Sequence, residues 1–434
     1  MNIELARLRR EKLFSRLKVN EVVVLFAAEE NSVEYCPYRQ HSDFYYLTLF
    51  PEPNAVAVLV SNGNNWNYIL FSRALDSEFS LWQGKMTGQL GARHEFMADK
   101  SFAVEEMPKI LPELLLAKTK IYSNVGFRGK DESGFNQAIF NYLDTKRICL
   151  VDVGELLNEM RVVKDEQEVL SLRKACDVGV LGHLRAMERC MPGIYEFELE
   201  AELIYEFRRQ GCRFSFEPIV AAGENSCVLH YTKNNQLLFE GNLVVVDVGA
   251  DHEHYASDIS RTYPINGKFT KAQRIIYELV LSAQEAVIAI IRPGINWNDL
   301  QLVADRVITE GLIEIGFLNG ERDALINALE HKKFTIHKIG HWLGLDVHDI
   351  GGYQTNGNYM FLEEGMIFTV EPGIYLRSEL LLKSKFATEL QWHDLGVRIE
   401  DDILVTHDGC EVLTRHLPKK AETIEKIIGK YNCE

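Results

Sequence analysis

No stretch of this chain is apolar for long enough to cross a bilayer. The longest candidate run, Val22 to Ala28, falls far short of the roughly 20 residues a spanning helix needs and reads as a buried strand. The first twenty residues, MNIELARLRREKLFSRLKVN, carry a charge every few positions and hold neither a secretory h-region nor a transit-peptide pattern, so a cytoplasmic protein with no membrane partner is expected. Cysteine is sparse: Cys36, Cys149, Cys176, Cys190, Cys212, Cys227, Cys410 and Cys433 are scattered without a CxxC pair. That spacing excludes a disulfide scaffold and points to reduced, mostly buried thiols. HExxH, GxSxG and GxxxxGKS are absent, so the single-zinc protease, serine-hydrolase and P-loop readings lack their parts. Basic residues are in deficit, 47 against 63 acids for a net charge of -16, which argues against a nucleic-acid partner or an anionic membrane. The 30 Gly and 11 Pro form no repeat, and with 46% hydrophobic and 25% charged residues the chain is neither fibrous nor disordered.

What is present is enough for two to three domains at 434 residues. From Val22 to about Val153, short apolar runs (VVVLFAA, AVAVLV, NYILF, KIYSN, ICLVDV) alternate with helical pattern, including an amphipathic stretch from Met107 to Ala117. This is the texture of an α/β domain, expected over residues 1–160. A capping box at Asp165 and Glu168 opens a helix through Leu172, Cys176, Val180 and Met187 that Pro192 and Gly193 stop. Thr270 and Gln273 open a second long helix ending at Pro293-Gly294, and Asn298 is expected to start a third. Helices and strands are segregated across residues 161–434, an α+β pattern.

A weak internal repeat marks this second half. Glu240-Gly241 precedes NLVVV, Asp247 and Gly249; Glu364-Gly365 precedes MIFTV, Glu371 and Gly373. Each copy is followed by a second acidic segment, containing Asp258 in the first and Glu400 in the second. Period-2 strands would project Val245 with Asp247, and Thr369 with Glu371, to one side, so two facing copies would gather four carboxylates. Between the copies stand His331, His337, His341 and His348, a density far above that of 13 histidines spread over the chain. Buried carboxylates repel one another unless a cation neutralises them, and carboxylates with one imidazole suit Mn²⁺, Co²⁺ or Zn²⁺.

The stretches HYTKNNQLLFEGNLVVVDVGADHEHYASDISRTYP, HWLGLDVHD, TVEPGIY and GVRIED resemble, in order and spacing, the signature of the pita-bread metallopeptidases. Among these the chain is most similar to the Xaa-Pro aminopeptidases (aminopeptidase P), and YRQHSDFYYLT at Tyr38 to Thr48 resembles their amino-terminal domain, which methionine aminopeptidases lack. The resemblance implies a pita-bread catalytic domain preceded by the α/β domain. It also implies that Asp247, Asp258, His341, Glu371 and Glu400 bind two divalent metals, with Mn²⁺ the first choice. Asp258 and Glu400 would bridge the ions, Asp247 would serve one, and His341 with Glu371 the other.

The implied reaction is hydrolysis of the bond between a first residue and a following proline by hydroxide held between the metals. Glu371 would accept and return the proton, His348 would stabilise the oxyanion, and His337 would support the opposite wall. His230 and Arg398 are expected on the proline side, Arg398 pairing with a peptide carboxylate or holding its neighbours. Trp82, in LWQGKMTG, resembles an aromatic that in this family reaches toward a neighbouring subunit's site, and the family suggests a homodimer or tetramer. SELLLKSKFATELQWHDL has no motif and is expected to shape a substrate-specific loop. Prolidase, restricted to Xaa-Pro dipeptides, shares every ligand; a binding protein without catalysis, and metal-free creatinase, would have eroded them.

Overall fold

In a computed structural model, residues 2–30, 38–61, 63, 65–124, 148–382 and 384–429 are described, so Cys36 and Cys433 lie outside the described residues. The chain divides into two compact units, Met1–Met160 and Arg161–Glu434. The first is built on a six-stranded sheet in the order Lys100–Ala103, Trp66–Ser72, Val56–Ser61, Glu21–Phe26, Lys120–Ser123, Cys149–Asp152. Its centre is antiparallel and its outer pairings are parallel. Glu21–Phe26 and Val56–Ser61 are buried along their whole length, which is why they read as unbroken apolar runs rather than alternating ones. Lys100–Ala103 is the strand the sequence reading lacks: KSFA is short, polar at its start and only half-buried. The amphipathic segment is the helix Met107–Leu114, with Met107 and Leu111 against the sheet. Trp82 is 81% exposed within the chain and takes no part in the core.

The second unit repeats one plan twice. Asp165 caps Glu166–Arg189 with Glu168 closing the box, and Thr270 caps Lys271–Ile290 with Gln273 doing the same. Each long helix is followed by a shorter partner, Glu196–Arg209 and Trp297–Ile315. The second of these is capped by Asn296 rather than Asn298, whose backbone N–H instead donates to the Asn296 side chain. The strands Ile219–Ala222, Leu243–Val248 and Ile259–Pro264 form one antiparallel sheet, and Ile367–Val370, Asp401–Val405 and Cys410–Val412 another. Gly373–Leu376 pairs with Leu395–Arg398. The two halves are stitched where the backbone N–H of Glu400 donates to the Ser260 carbonyl at 3.0 Å.

The long helices also reach the strands through equivalent side chains. His183 stands nine residues before Pro192, and Gln284 nine before Pro293. The buried His183 ring Nε2 lies 3.0 Å from the Ile259 carbonyl and 3.4 Å from that of Val248. Gln284 Nε2 donates to the carbonyls of Val370 and Ile399, both at 3.3 Å. Each tether therefore grips backbone next to an expected ligand: Asp247 and Asp258 on one side, Glu371 and Glu400 on the other. No described helix is long and apolar enough to cross a membrane.

Candidate metal and peptide site

Strand alternation supplies the first carboxylate. Val244, Val246 and Val248 point into the main core, whereas Val245 packs with Ile219 and Ala221 on the opposite side, the side Asp247 shares. Asp258 immediately precedes Ile259–Pro264, where Ser260 pairs with Asp247 across the ladder. Glu371 follows Ile367–Val370 directly, its N–H donating to the Ile339 carbonyl at 2.8 Å. His341 is held against the same strand: its N–H donates to Thr369 Oγ1 at 3.1 Å and its carbonyl accepts from Thr369 N–H at 2.9 Å. Two glycines permit these approaches. A Cβ at Gly249 would lie 1.6 Å from the Ser257 carbonyl oxygen, and one at Gly340 would lie 1.9 Å from that of Thr369. Backbone cannot yield to such contacts as a flexible side chain can, so only glycine lets these strands close on the site.

The five side chains share one cavity of about 700 Å³, together with His230, His337, His348, Arg398 and Tyr353. Ligand atoms of Asp258, His341 and Glu400 all lie within 4.8 Å of one another. His341 Nε2 is 3.3 Å from Asp258 Oδ2 and 3.7 Å from Glu371 Oε1. Burial and mutual repulsion oppose ionisation here. Burial, then the charges of Asp247, Asp402 and Glu371, raises Asp258 well above the carboxylate range, and burial beside Asp258 does the same to Glu400. Glu371 is pushed up to about 7, chiefly by burial.

Such a group of carboxylates is unfavourable alone and favourable around dications. Asp247 carries the clearest sign: its Oδ2 accepts from Arg398 at 2.7 Å, while its buried Oδ1 has no hydrogen-bond partner. An orphaned carboxylate oxygen beside three others and an imidazole is the donor set that a hard or borderline divalent ion takes up. The residues present fit such ions.

Around the acids stand the other expected residues. His337 Nε2 lies 2.9 Å from Tyr375 Oη, and its Nδ1 lies 2.9 Å from the Lys338 carbonyl and 3.5 Å from Glu371 Oε2. Burial, then the positive field of Arg398, lowers it to about 4. The His348 ring centroid is 4.1 Å from that of His341, and burial, His341 and His230 bring its pKa down to about 4. Both rings are therefore neutral at pH 7. His230 is exposed on the cavity wall. Of the two roles open to Arg398, the geometry displays the holding one: it donates to Asp247, to Tyr375 Oη at 3.0 Å and to Ser260 Oγ at 2.8 Å.

Two expectations change. His331 does not join the other histidines; it is fully buried, with Nε2 3.2 Å from Asp305 Oδ1, and belongs to the packing of the helix Trp297–Ile315. The segment from Ser378 to Leu395 contributes no side chain to the cavity wall among the described residues; its Phe386 and Trp392 pack on Phe317 with centroids 4.3 and 5.4 Å away. Its aromatics are core residues, a use that an irregular segment hides from periodicity. Tyr375 was missed, although its place four residues after Glu371 on an alternating strand was a usable signal. Ser260, which donates to Glu400 Oε2 at 2.9 Å, was likewise unassigned. Asp349 was too: buried after His348, it is gripped by Arg161 and by Lys164 at 3.3 Å.

Two family models match the chain: metallopeptidase family M24 over residues 171–407, and the aminopeptidase P N-terminal domain over residues 6–122. Xaa-Pro aminopeptidase of Escherichia coli is 38% identical over 432 residues, covering 97% of this chain and 96% of the relative. Among solved structures, Pseudomonas aeruginosa aminopeptidase PepP superposes with a TM-score of 0.93 at 39% identity, covering 100% of this chain and 99% of that one. Aminopeptidase P from E. coli with the inhibitor Pro-Leu gives 0.92 at 36% identity, covering both chains in full (100%). A zinc-substituted form of the E. coli enzyme, in complex with product, gives 0.90 at 36%, covering 100% of this chain and 99% of that one. With an α/β amino-terminal domain, an α+β pita-bread body and matches of this extent, the chain belongs to metallopeptidase family M24, in its aminopeptidase P branch, and is a divalent-metal-dependent aminopeptidase.

Proposed function

We propose that the chain removes the first residue from peptides whose second residue is proline, using two divalent ions, Mn²⁺ foremost, held by Asp247, Asp258, His341, Glu371 and Glu400. The observation that carries this reading is the convergence of four carboxylates, three buried and one half-buried, and one imidazole on a single cavity whose remaining wall is histidine-rich. When bound, the ions supply Lewis-acid polarisation of the scissile carbonyl and a hydroxide nucleophile at neutral pH. Residues 161–434 form the catalytic body in this reading, and residues 1–160 the aminopeptidase P-type amino-terminal domain.

The chain's own residues do the rest. Glu371, whose Oε2 lies 3.5 Å from His337 Nδ1 on the cavity wall, accepts a proton from the nucleophile and returns it to the departing prolyl nitrogen. His348, neutral because its pKa lies near 4, donates one N–H to the oxyanion without bringing a competing charge. His337, bonded to Tyr375, keeps the opposite wall rigid. Arg398 fixes Asp247 and Tyr375 together, so that Asp247 presents its free oxygen inward. A bond before proline lacks the N–H by which general proteases pair with extended substrate, and a shaped wall with His230 at its side takes over that task.

Hydrolysis of Arg-Pro-Ala beside that of an Xaa-Pro dipeptide, by chelated enzyme before and after return of Mn²⁺, tests the proposal. Tripeptide cleavage that depends on the metal is expected. Cleavage of the dipeptide alone would transfer the assignment to prolidase, and cleavage of neither would leave a non-catalytic relative.

A further inference from the structure

We propose that Lys338 is a specificity-determining residue that reads a carboxylate one residue beyond the substrate proline, so that short peptides of the form Xaa-Pro-Yaa with a free C-terminus are favoured over neutral ones. This rests on the Xaa-Pro reading above. Two cations line the catalytic cavity, and they differ completely. Arg398 is buried and bonded to Asp247, Tyr375 and Ser260, so its charge is already answered within the protein. Lys338 is exposed, and its described side-chain contact is the ring of Tyr353, whose centroid lies 5.5 Å from Nζ. No described carboxylate pairs with it.

Its position gives the charge a direction. Lys338 follows His337, whose Nδ1 approaches the Lys338 carbonyl at 2.9 Å, and precedes Ile339, whose carbonyl holds the Glu371 N–H at 2.8 Å. The main chain at Lys338 is thus anchored beside the proton-transfer group while its side chain is free. His337 Nε2 and Arg398 both meet Tyr375 Oη, at 2.9 and 3.0 Å, so this wall adjoins the side given to proline. From the scissile carbon to the carboxylate of Xaa-Pro-Yaa, two extended residues span at most about 7 Å, a distance that a flexible four-carbon stem covers. The ring of Tyr353 supports the ammonium by its face while leaving the three N–H donors available. Glu217, the exposed acid lining the same cavity, repels such a carboxylate and leaves Lys338 as the group that attracts it.

Three peptides separate the sources of the carboxylate: Arg-Pro-Ala, Arg-Pro-Ala-amide and Arg-Pro-Glu-amide, each assayed with Mn²⁺-loaded wild type, Lys338→Met and Lys338→Arg. The wild type should show a KM for Arg-Pro-Ala roughly two- to fivefold below that of its amide, the range of a solvent-exposed ion pair. Lys338→Met should abolish that ratio with kcat unchanged, Lys338→Arg should restore it, and high salt should shrink it in the wild type. Recovery of the low KM by Arg-Pro-Glu-amide would extend the recognition to an acidic side chain. An acid-to-amide ratio identical in wild type and Lys338→Met overturns the proposal. Failure of the wild type to cleave any of the three would instead overturn the underlying Xaa-Pro reading.

Discussion

Stripping divalent cations with a chelator leaves Asp247, Asp258, Glu371 and Glu400 to answer to one another, and the fold should then lose stability as pH rises. In the metal-free protein, burial and like charge raise Asp258 and Glu400 well above the carboxylate range and bring Glu371 to about 7. A carboxyl whose folded pKa exceeds its unfolded one binds its proton more tightly when folded. Its stabilising contribution is complete below the unfolded value and is lost as pH climbs through the folded one. For Glu371, the interval from an ordinary 4.5 to about 7, at about 1.4 kcal/mol per pH unit, comes to about 3 kcal/mol. For a body of this size that is a fall of roughly 6 to 12 °C in Tm between pH 5 and 8. Thermal denaturation of chelated protein across that range measures it, and added Mn²⁺ should restore Tm at pH 8 with release of protons. A metal-free Tm that stays level or rises between pH 5 and 8 would refute the reasoning, since the carboxylates would then be ionised without cost.

Replacing Asp258 by Asn removes a ligand shared by both proposed ions, and metal content measured after dialysis should fall together with nearly all activity. His348→Ala lies outside the proposed ligand set, so the variant should keep its metal while kcat drops about 10²- to 10³-fold, the cost of one oxyanion donor; an empty site would reassign His348 as a ligand. Gly340→Ala forces a Cβ against the Thr369 carbonyl, 1.9 Å away, and should destabilise the fold by about 3 kcal/mol or more in urea denaturation. Unchanged stability there would mean that the strand and the His341 segment can separate freely.

The sequence alone determined the parts that are local or chemical. The capping boxes at Asp165 and Thr270 formed as read, because a helix start is written in adjacent residues whose side chains bond their own backbone. The spacing of Glu240 to Asp247 and Glu364 to Glu371 announced a duplication, and the family motifs named the four acids and one histidine that converge on one cavity. Where local signals were weak, the reading slipped: Asn296 rather than Asn298 caps a helix, and the polar strand Lys100–Ala103 acquires its identity only by pairing with Trp66–Ser72.

Only the tertiary structure decided which histidines belong together. His331 and His337 are six positions apart, yet one is buried against Asp305 while the other faces Glu371, because the chain turns between them and no periodicity records that turn. The same holds for Arg398, whose three partners come from three separate segments. It holds also for His183 and Gln284, equally spaced from their Pro-Gly stops, which become matching tethers only when each long helix lies across its own pair of strands. Residue type and spacing set what chemistry the chain can perform; long-range packing, which brings together residues a hundred or more positions apart, set where each charge is buried, and hence which groups hold, which bind and which remain free.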